Sequence, residues 1–197
     1  VNVVWLKAAN IQFSDNVLDV TGVTSEATLP GCGLVLTTAV AGCGNQRVTG
    51  NVIRGMLTGI RVEGVANQRE VLISGNTVLP FSTAYGNQRA IHLEMVGSSN
   101  NGQLLVTGNF LQGGEGTNWL LDVACAAEVR GNTLDGRATT LVAGSDPGVL
   151  PVHIGGDPAT PSTSIGILVR PRGNNDAHAV VSANYDAGFG SVGIQIH

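Results

Sequence analysis

A five-residue pattern, Val-x-Gly-Asn-hydrophobic, recurs along this chain and constrains its fold more than any other feature. The clearest copies are centred on Asn51, Asn76, Asn109 and Asn132, and degenerate copies are centred on Asn16 and Asn184. Neighbouring asparagines lie 25 or 23 residues apart at the shortest spacings, and 35 or 33 where an insertion intervenes. The last gap, 52 residues, holds either two units or one unit with a long loop. A repeat of this length indicates one structural unit used many times, which is typical of solenoids.

Apolar residues alternate within each unit at a spacing of two, which predicts β-strands. Three residues before each asparagine the chain carries Phe13, Val48, Ile73, Val106, Val129 and Val181, and two residues after it Leu18, Ile53, Val78, Leu111 and Leu134. A second alternating segment follows, such as Gly59-Ile60-Arg61-Val62, so each unit holds at least two strands. No window keeps the three-to-four spacing of a helix, and the 28 glycines would weaken one. We therefore expect an all-β coil that stacks on itself around one apolar core.

The Gly-Asn pair suits a sharp bend between strands because both residues tolerate positive φ. An asparagine at the same bend of every coil can also stack into a ladder of side-chain amides. This pattern resembles the asparagine ladder of right-handed parallel β-helix proteins, the pectate-lyase-like superfamily, which includes phage tail-spike-type β-helices. The resemblance covers roughly residues 11–197. It implies a single-stranded right-handed parallel β-helix of about six to seven coils, with a ladder formed by Asn16, Asn51, Asn76, Asn109, Asn132 and Asn184.

Composition narrows the domain organisation and the partners. With 197 residues and 43% hydrophobic content, we expect one domain spanning residues 1–197. The net charge of −4 with no basic block argues against nucleic-acid binding, and no apolar run approaches a membrane span. The chain starts on Val1 and stops on a strand-like segment. We therefore expect an excised or processed part of a longer chain, whose open ends are covered by flanking domains or by neighbouring subunits, as in a homotrimer.

Cysteine usage leaves two interpretations open. Cys32 and Cys43 each lie between two glycines, so either a disulfide closes one loop or both are small turn or core residues, while Cys125 is expected to be buried. No cysteine pair has zinc spacing, and calcium nonapeptide repeats and phosphate loops are absent from the sequence. We accordingly predict no metal and no cofactor.

The candidate chemistry lies on the second strand of each unit. Aligning Ile60, Ile91 and Trp119 as one inward row places Arg61, His92 and Leu120 in one outward row and Glu63, Glu94 and Asp122 in the next. Strands of adjacent coils lie about 4.8 Å apart, so the three carboxylates would climb one exposed face.

A carboxylate pair about 5 Å apart suits a retaining glycosidase, and one about 6.5 to 9.5 Å apart suits an inverting one. Glu63, Glu94 and Asp122 are therefore the candidate catalytic residues, with Arg61, His92, Tyr85 and Trp119 as candidate substrate-binding residues. Insertions over residues 21–32, 80–89, 96–102 and 135–163 would form the walls of such a groove, or are surface decoration. The alternative is an ordinary solvent-exposed face without catalytic function, whose acidic residues pair with Arg61, His92 or a cation.

The function implied is a polysaccharide-recognising β-helix, extracellular or on a virion surface, which either cleaves glycosidic bonds through the carboxylate row, as a hydrolase or a lyase, or binds the polymer without cleavage. The alternative is a non-catalytic β-helix shaft of a larger surface or tail-spike protein. Polygalacturonase-like motifs are absent, and Arg170-Pro171-Arg172 has the wrong spacing for the arginine motif of common pectate lyases. The catalytic residues of the superfamily therefore cannot be carried over. An ice-binding solenoid is disfavoured because no repeated Thr-x-Thr row exists.

Overall fold

A computed structural model shows three parallel β-sheets running the length of the molecule. It describes residues 2–20, 31–37, 44–65, 69–80, 88–96, 104–112, 117–124, 127–135, 163–169, 179–182, 185–187 and 189–196. Sheet A contains β1 (Asn2–Leu6), β4 (Cys32–Thr37), β7 (Thr58–Val65), β10 (Gln88–Val96), β13 (Thr117–Ala124), β16 (Thr163–Val169) and β19 (Phe189–Ile196). Sheet B contains β2 (Gln12–Ser14), β5 (Gly44–Thr49), β8 (Arg69–Ser74), β11 (Leu104–Thr107), β14 (Ala127–Arg130) and β17 (Ala179–Ser182). Sheet C contains β3 (Val17–Asp19), β6 (Val52–Met56), β9 (Thr77–Pro80), β12 (Phe110–Gln112), β15 (Thr133–Asp135) and β18 (Tyr185–Ala187).

The chain passes through sheets B, C and A in turn, and each passage forms one coil of a right-handed parallel β-helix. Each coil thus has three strands, one more than the minimum of two that the sequence predicts. Strand β14 pairs directly with β17, and β15 with β18, so the gap of 52 residues between the last two asparagines belongs to a single coil. Across the ranges described, no helix is long and apolar enough to cross a membrane.

Both predicted apolar columns are confirmed by the strand register. In sheet B, Phe13 pairs with Val48 and Val48 with Ile73, and the column continues through Val106, Val129 and Val181. In sheet C the column runs from Leu18 to Leu134 and ends opposite Asp186. The central members are fully buried in one core. Alternation therefore sets which side chains of these two sheets face inward.

The asparagine ladder is present across the described coils. Amide Nδ2 donates to the Oδ1 of the next asparagine at 3.1 Å for Asn16, 2.9 Å for Asn51, 3.0 Å for Asn76 and 2.9 Å for Asn109. Each of these Oδ1 atoms also accepts the backbone N–H of the preceding asparagine at 3.0 Å. Asn132 closes the described ladder, and Asn184 lies outside the described residues. The buried amides are hydrogen-bonded from coil to coil, which fixes the corner between sheets B and C.

The glycine of each pair makes the bend. Gly50, Gly75, Gly108 and Gly131 have φ of 69°, 63°, 63° and 62°, in the left-handed region that L side chains rarely adopt. Asp15 takes this conformation in the first coil, with φ of 58°. The two residues of the repeat therefore have separate tasks, the bend for glycine and the ladder for asparagine.

The strands of sheet A depart from strict alternation near their first residues. Ala90 and Ile91 both belong to the buried core, as do Leu120 and Leu121. The preceding coils carry Gly33 and Gly59 at this position, where a Cβ would meet core side chains. Two consecutive positions therefore face inward in β4, β7, β10 and β13, and the described side chains that flank them face outward.

Candidate functional site on the outer face of sheet A

Sheet A presents polar side chains on its outer face, away from the core. On β4, β7, β10 and β13 the residues that flank the inward pair contribute Cys32, Val35, Thr37, Thr58, Arg61, Glu63, Arg89, His92 and Asp122. Most of these are buried although they point away from the core. Arg61 and Glu63 are the more open members, with side chains 35% and 28% exposed. We call this set the outer face of sheet A.

The register confirms part of the predicted arrangement. Arg61 pairs with His92 and Glu63 with Glu94, as the sequence alignment predicts. The side chain of Glu94 lies outside the described part of the structure, so its position is known from the backbone alone. The two glutamates occupy neighbouring strands, where the spacing is about 4.8 Å.

The predicted place of Asp122 in that row is wrong. Asp122 pairs with His92, and Ala124 is the residue opposite Glu94. The inward row continues from Ile91 to Leu121 rather than to Trp119. The cause is the pair of consecutive inward residues, because Leu120 is buried in the core and not on the outward row. Simple alternation from Trp119 therefore shifts the whole strand by two residues.

Glu63 is held by contacts on both of its carboxylate oxygens. Its Oε2 lies 3.2 Å from Nε of Arg61, and its Oε1 accepts a hydrogen bond of 3.2 Å from the hydroxyl of Thr37. The same hydroxyl accepts a hydrogen bond of 2.5 Å from the indole N–H of Trp5. A partly exposed carboxylate is thus fixed in position by a contact on each of its oxygens.

Asp122 is buried within an ionic cluster. Its side chain is 0% exposed, and its Oδ2 lies 3.2 Å from Nε of Arg89 and 3.5 Å from Nε2 of His92. A carboxylate removed from water requires such partners, because a buried unpaired charge is strongly unfavourable. Asp122 is therefore not an exposed acid, and its geometry suits holding His92 and Arg89 in place.

Cys32 is a free, buried thiol on the same face. The disulfide interpretation does not hold for this residue, and Cys43 and Cys125 lie outside the described residues. Burial raises the pKa of the Cys32 thiol, and the nearby Arg61 guanidinium opposes that shift. The thiol is thus kept in its neutral form, which suits a structural residue rather than a nucleophile.

The remaining predicted binding residues are not brought to the site by described side chains. Tyr85 lies outside the described residues, as does nearly all of each predicted insertion. The backbone of Trp119 pairs with Arg89, and its side chain is outside the described part. Among the residues that are described, no group of three or more His, Cys, Asp or Glu side chains could hold a metal ion.

Sequence reasoning missed Arg89, Thr37 and Trp5 at this face. Strict alternation from Ile91 turns Arg89 inward, whereas the double inward position turns it outward, where it meets Asp122. Trp5 was missed because the first strand precedes the first copy of the repeat. The one sequence signal that Trp5 faces outward is its position between Val4 and Leu6, two apolar residues at a spacing of two.

Comparisons with known proteins identified no relative of this chain. No protein-family model, curated protein or solved structure matches this chain. What the fold and the site define is a class, a parallel β-helix with a partly buried ionic face on one of its three sheets.

Proposed function

We propose that this protein recognises a polysaccharide along the outer face of sheet A and cleaves a glycosidic bond there. The observation that carries the proposal is the partly exposed Glu63 carboxylate, held by Arg61 and Thr37 opposite Glu94 on the next strand. A linear polymer suits a face that continues from coil to coil. The likeness of the repeat to the pectate-lyase-like superfamily supports the same reading, since that superfamily acts on polysaccharides.

The roles follow from the contacts. Glu63, already paired with the Arg61 guanidinium, is suited to act as the ionised nucleophile. Glu94, on the neighbouring strand, is the proposed general acid. Their strand spacing of about 4.8 Å is close to the separation of about 5 Å that retaining glycosidases use. Arg61, whose side chain is 35% exposed, is the proposed contact to the sugar that spans the two carboxylates, because His92 is buried beside Asp122.

The proposal predicts cleavage that depends on both glutamates and proceeds with retention of anomeric configuration. A panel of plant and bacterial polysaccharides would be assayed for reducing-end release, for unsaturated product and for the anomer first formed. Glu63→Gln and Glu94→Gln should each lower kcat by at least about 100-fold, the usual effect of losing an acid–base group.

Glu128→Gln is the matched control. Like Glu63, Glu128 is a partly exposed carboxylate paired with an arginine, here Arg130, but it lies on sheet B, away from this face. It should leave kcat unchanged. Unsaturated product would show that the reaction is that of a lyase rather than of a hydrolase. Full activity in Glu63→Gln would exclude the proposed catalytic site.

The second candidate function is a non-catalytic shaft within a larger surface or tail-spike protein. The observation that favours it is the ladder, whose buried amides link the coils from Asn16 to Asn132 without interruption. A rod of this kind resists bending, which is useful without any chemistry. The absence of cleavage and of binding across the whole panel would favour this candidate.

A further inference from the structure

Trp5 is an exposed aromatic residue on the same outer face as Glu63. Its neighbours Val4 and Leu6 pack against the core, so the indole of Trp5 points outward from β1. It is 50% exposed, and the ammonium of Lys7 lies 3.3 Å from the ring centroid. The ring is therefore held in a defined orientation, with Lys7 over one of its faces and half of the residue exposed to water.

Hydrogen bonds connect this ring to the proposed catalytic carboxylate. The indole N–H donates to the Thr37 hydroxyl, and that hydroxyl donates to Oε1 of Glu63. The connection places the ring and the carboxylate on one continuous surface. Trp5 pairs with Val35, and Val35 with Arg61, so the ring lies two coils before the strand of Glu63. At about 4.8 Å per coil the two strands are about 10 Å apart.

We propose that Trp5 forms a sugar-stacking subsite of the polysaccharide site, one that binds the sugar next to the unit that contacts Glu63. The apolar face of a pyranose ring packs well on an indole, and an indole anchored by its N–H offers that surface at little cost in entropy. Because a single hydroxyl bridges the indole N–H and Oε1 of Glu63, a sugar stacked on Trp5 adjoins the sugar that contacts Glu63. This inference rests on the proposed function, because it assigns a second contact to the same ligand.

The inference predicts a dependence on chain length. Calorimetric titrations would use the monosaccharides and the hexasaccharides of the cello, xylo, manno and galacturono series, with Glu63→Gln as the background to prevent turnover. In that background, Trp5→Leu should weaken hexasaccharide binding about tenfold and leave monosaccharide binding at Glu63 unchanged, because a single sugar does not occupy both positions. Trp5→Phe keeps an aromatic surface and should weaken hexasaccharide binding by less than about threefold.

Phe110→Leu is the matched control, since Phe110 is an exposed aromatic on sheet C, outside this face. It should not change the affinity for either length. The subsite would be overturned if Trp5→Leu changed the affinity for the monosaccharide and the hexasaccharide equally, or changed neither. It would also be overturned if the loss of affinity merely followed a lower Tm.

These results separate the subsite from the proposed function. Hexasaccharide binding that depends on Trp5, in a protein that cleaves nothing, would support the subsite and remove the catalytic proposal. Cleavage that depends on Glu63 but is indifferent to Trp5→Leu would overturn the subsite alone. A protein that binds none of the probes would overturn both.

Discussion

At the scale of single residues, the asparagine of the repeat contributes to this fold through the hydrogen bonds that its side chain makes to neighbouring coils. The amide of Asn76 donates to Asn109 and to the carbonyl of Val48, and its oxygen accepts two hydrogen bonds from Asn51. The side chain is buried, so water cannot replace these partners if the amide is removed. Loss of one ladder member therefore leaves several buried groups unsatisfied at once.

Replacement of Asn76 by alanine should lower the free energy of unfolding by roughly 3 kcal/mol or more. Asn16→Ala is the comparison, because Asn16 stands at the end of the described ladder and is only partly buried. Its cost should be about 1 kcal/mol. Urea unfolding of both variants measures the difference, and equal costs would show that position in the ladder has no energetic consequence.

The division of labour within the Gly-Asn pair was only half predictable from the sequence. Both residue types tolerate positive φ, so the pattern alone assigns the bend to either of them. In the structure Gly75 has φ of 63°, and Asn76 does not share this conformation. The amide must point into the stack to reach Asn109, and this requirement decides which residue bends.

At the scale of the strand, the double inward position at the start of sheet A determines which residues reach the outer face. Gly59 occupies it in β7, where a Cβ would collide with Cγ1 of Val78 and lie 2.7 Å from the carbonyl oxygen of Ala90. Larger residues fill the same position in later coils, with Leu120 wholly buried. The core beneath this position therefore widens along the helix.

Substitution of Gly59 by alanine should cost about 2–3 kcal/mol by overpacking. Gly131→Ala is the matched comparison, since the nearest non-neighbouring atom to its Cβ is Oγ1 of Thr107 at 3.7 Å while its φ is 62°. That variant should cost about 1–2 kcal/mol from backbone strain alone. Thermal unfolding distinguishes them, and a Gly59→Ala protein as stable as the wild type would contradict the inward placement.

The same strand feature explains how far the candidate site could be predicted. In β7 and β10 the alternation that begins at Ile60 and Ile91 places Arg61 opposite His92 and Glu63 opposite Glu94, as expected. In β13 two adjacent leucines, Leu120 and Leu121, are both buried, and no periodicity of two can say which continues the inward row. The register is settled by packing against β10, which the sequence does not display.

At the scale of the whole molecule, the fold was predictable because one unit recurs and each copy repeats the same requirements. Both apolar columns, the stacking of coils and the ladder follow from the sequence around Gly50-Asn51 and its copies. The count of three strands per coil is less evident, because only the bend at Gly50-Asn51 separates the strand of sheet B from that of sheet C. Chemistry is not repeated from coil to coil, so the repeat that defines the fold does not identify the function.

The two described acidic residues of the outer face differ in burial, and we propose the buried one as a positioning residue and the partly exposed one as the reactive carboxylate. Asp122 is enclosed by Arg89 and His92, whereas Glu63 is partly exposed beside Arg61. Removing a buried carboxylate leaves its cationic partner uncompensated, which is costly. Removing a partly exposed carboxylate such as Glu63 changes the free energy of unfolding little, because water screens both members of its pair with Arg61.

The most direct test measures urea unfolding and polysaccharide cleavage on the same two variants, Asp122→Asn and Glu63→Gln. We expect Asp122→Asn to lower the free energy of unfolding by roughly 2–4 kcal/mol, and Glu63→Gln to change it by less than about 1 kcal/mol while abolishing turnover. The reverse result, a stable Asp122→Asn protein without activity and an active Glu63→Gln protein, would contradict the account and make Asp122 the reactive carboxylate.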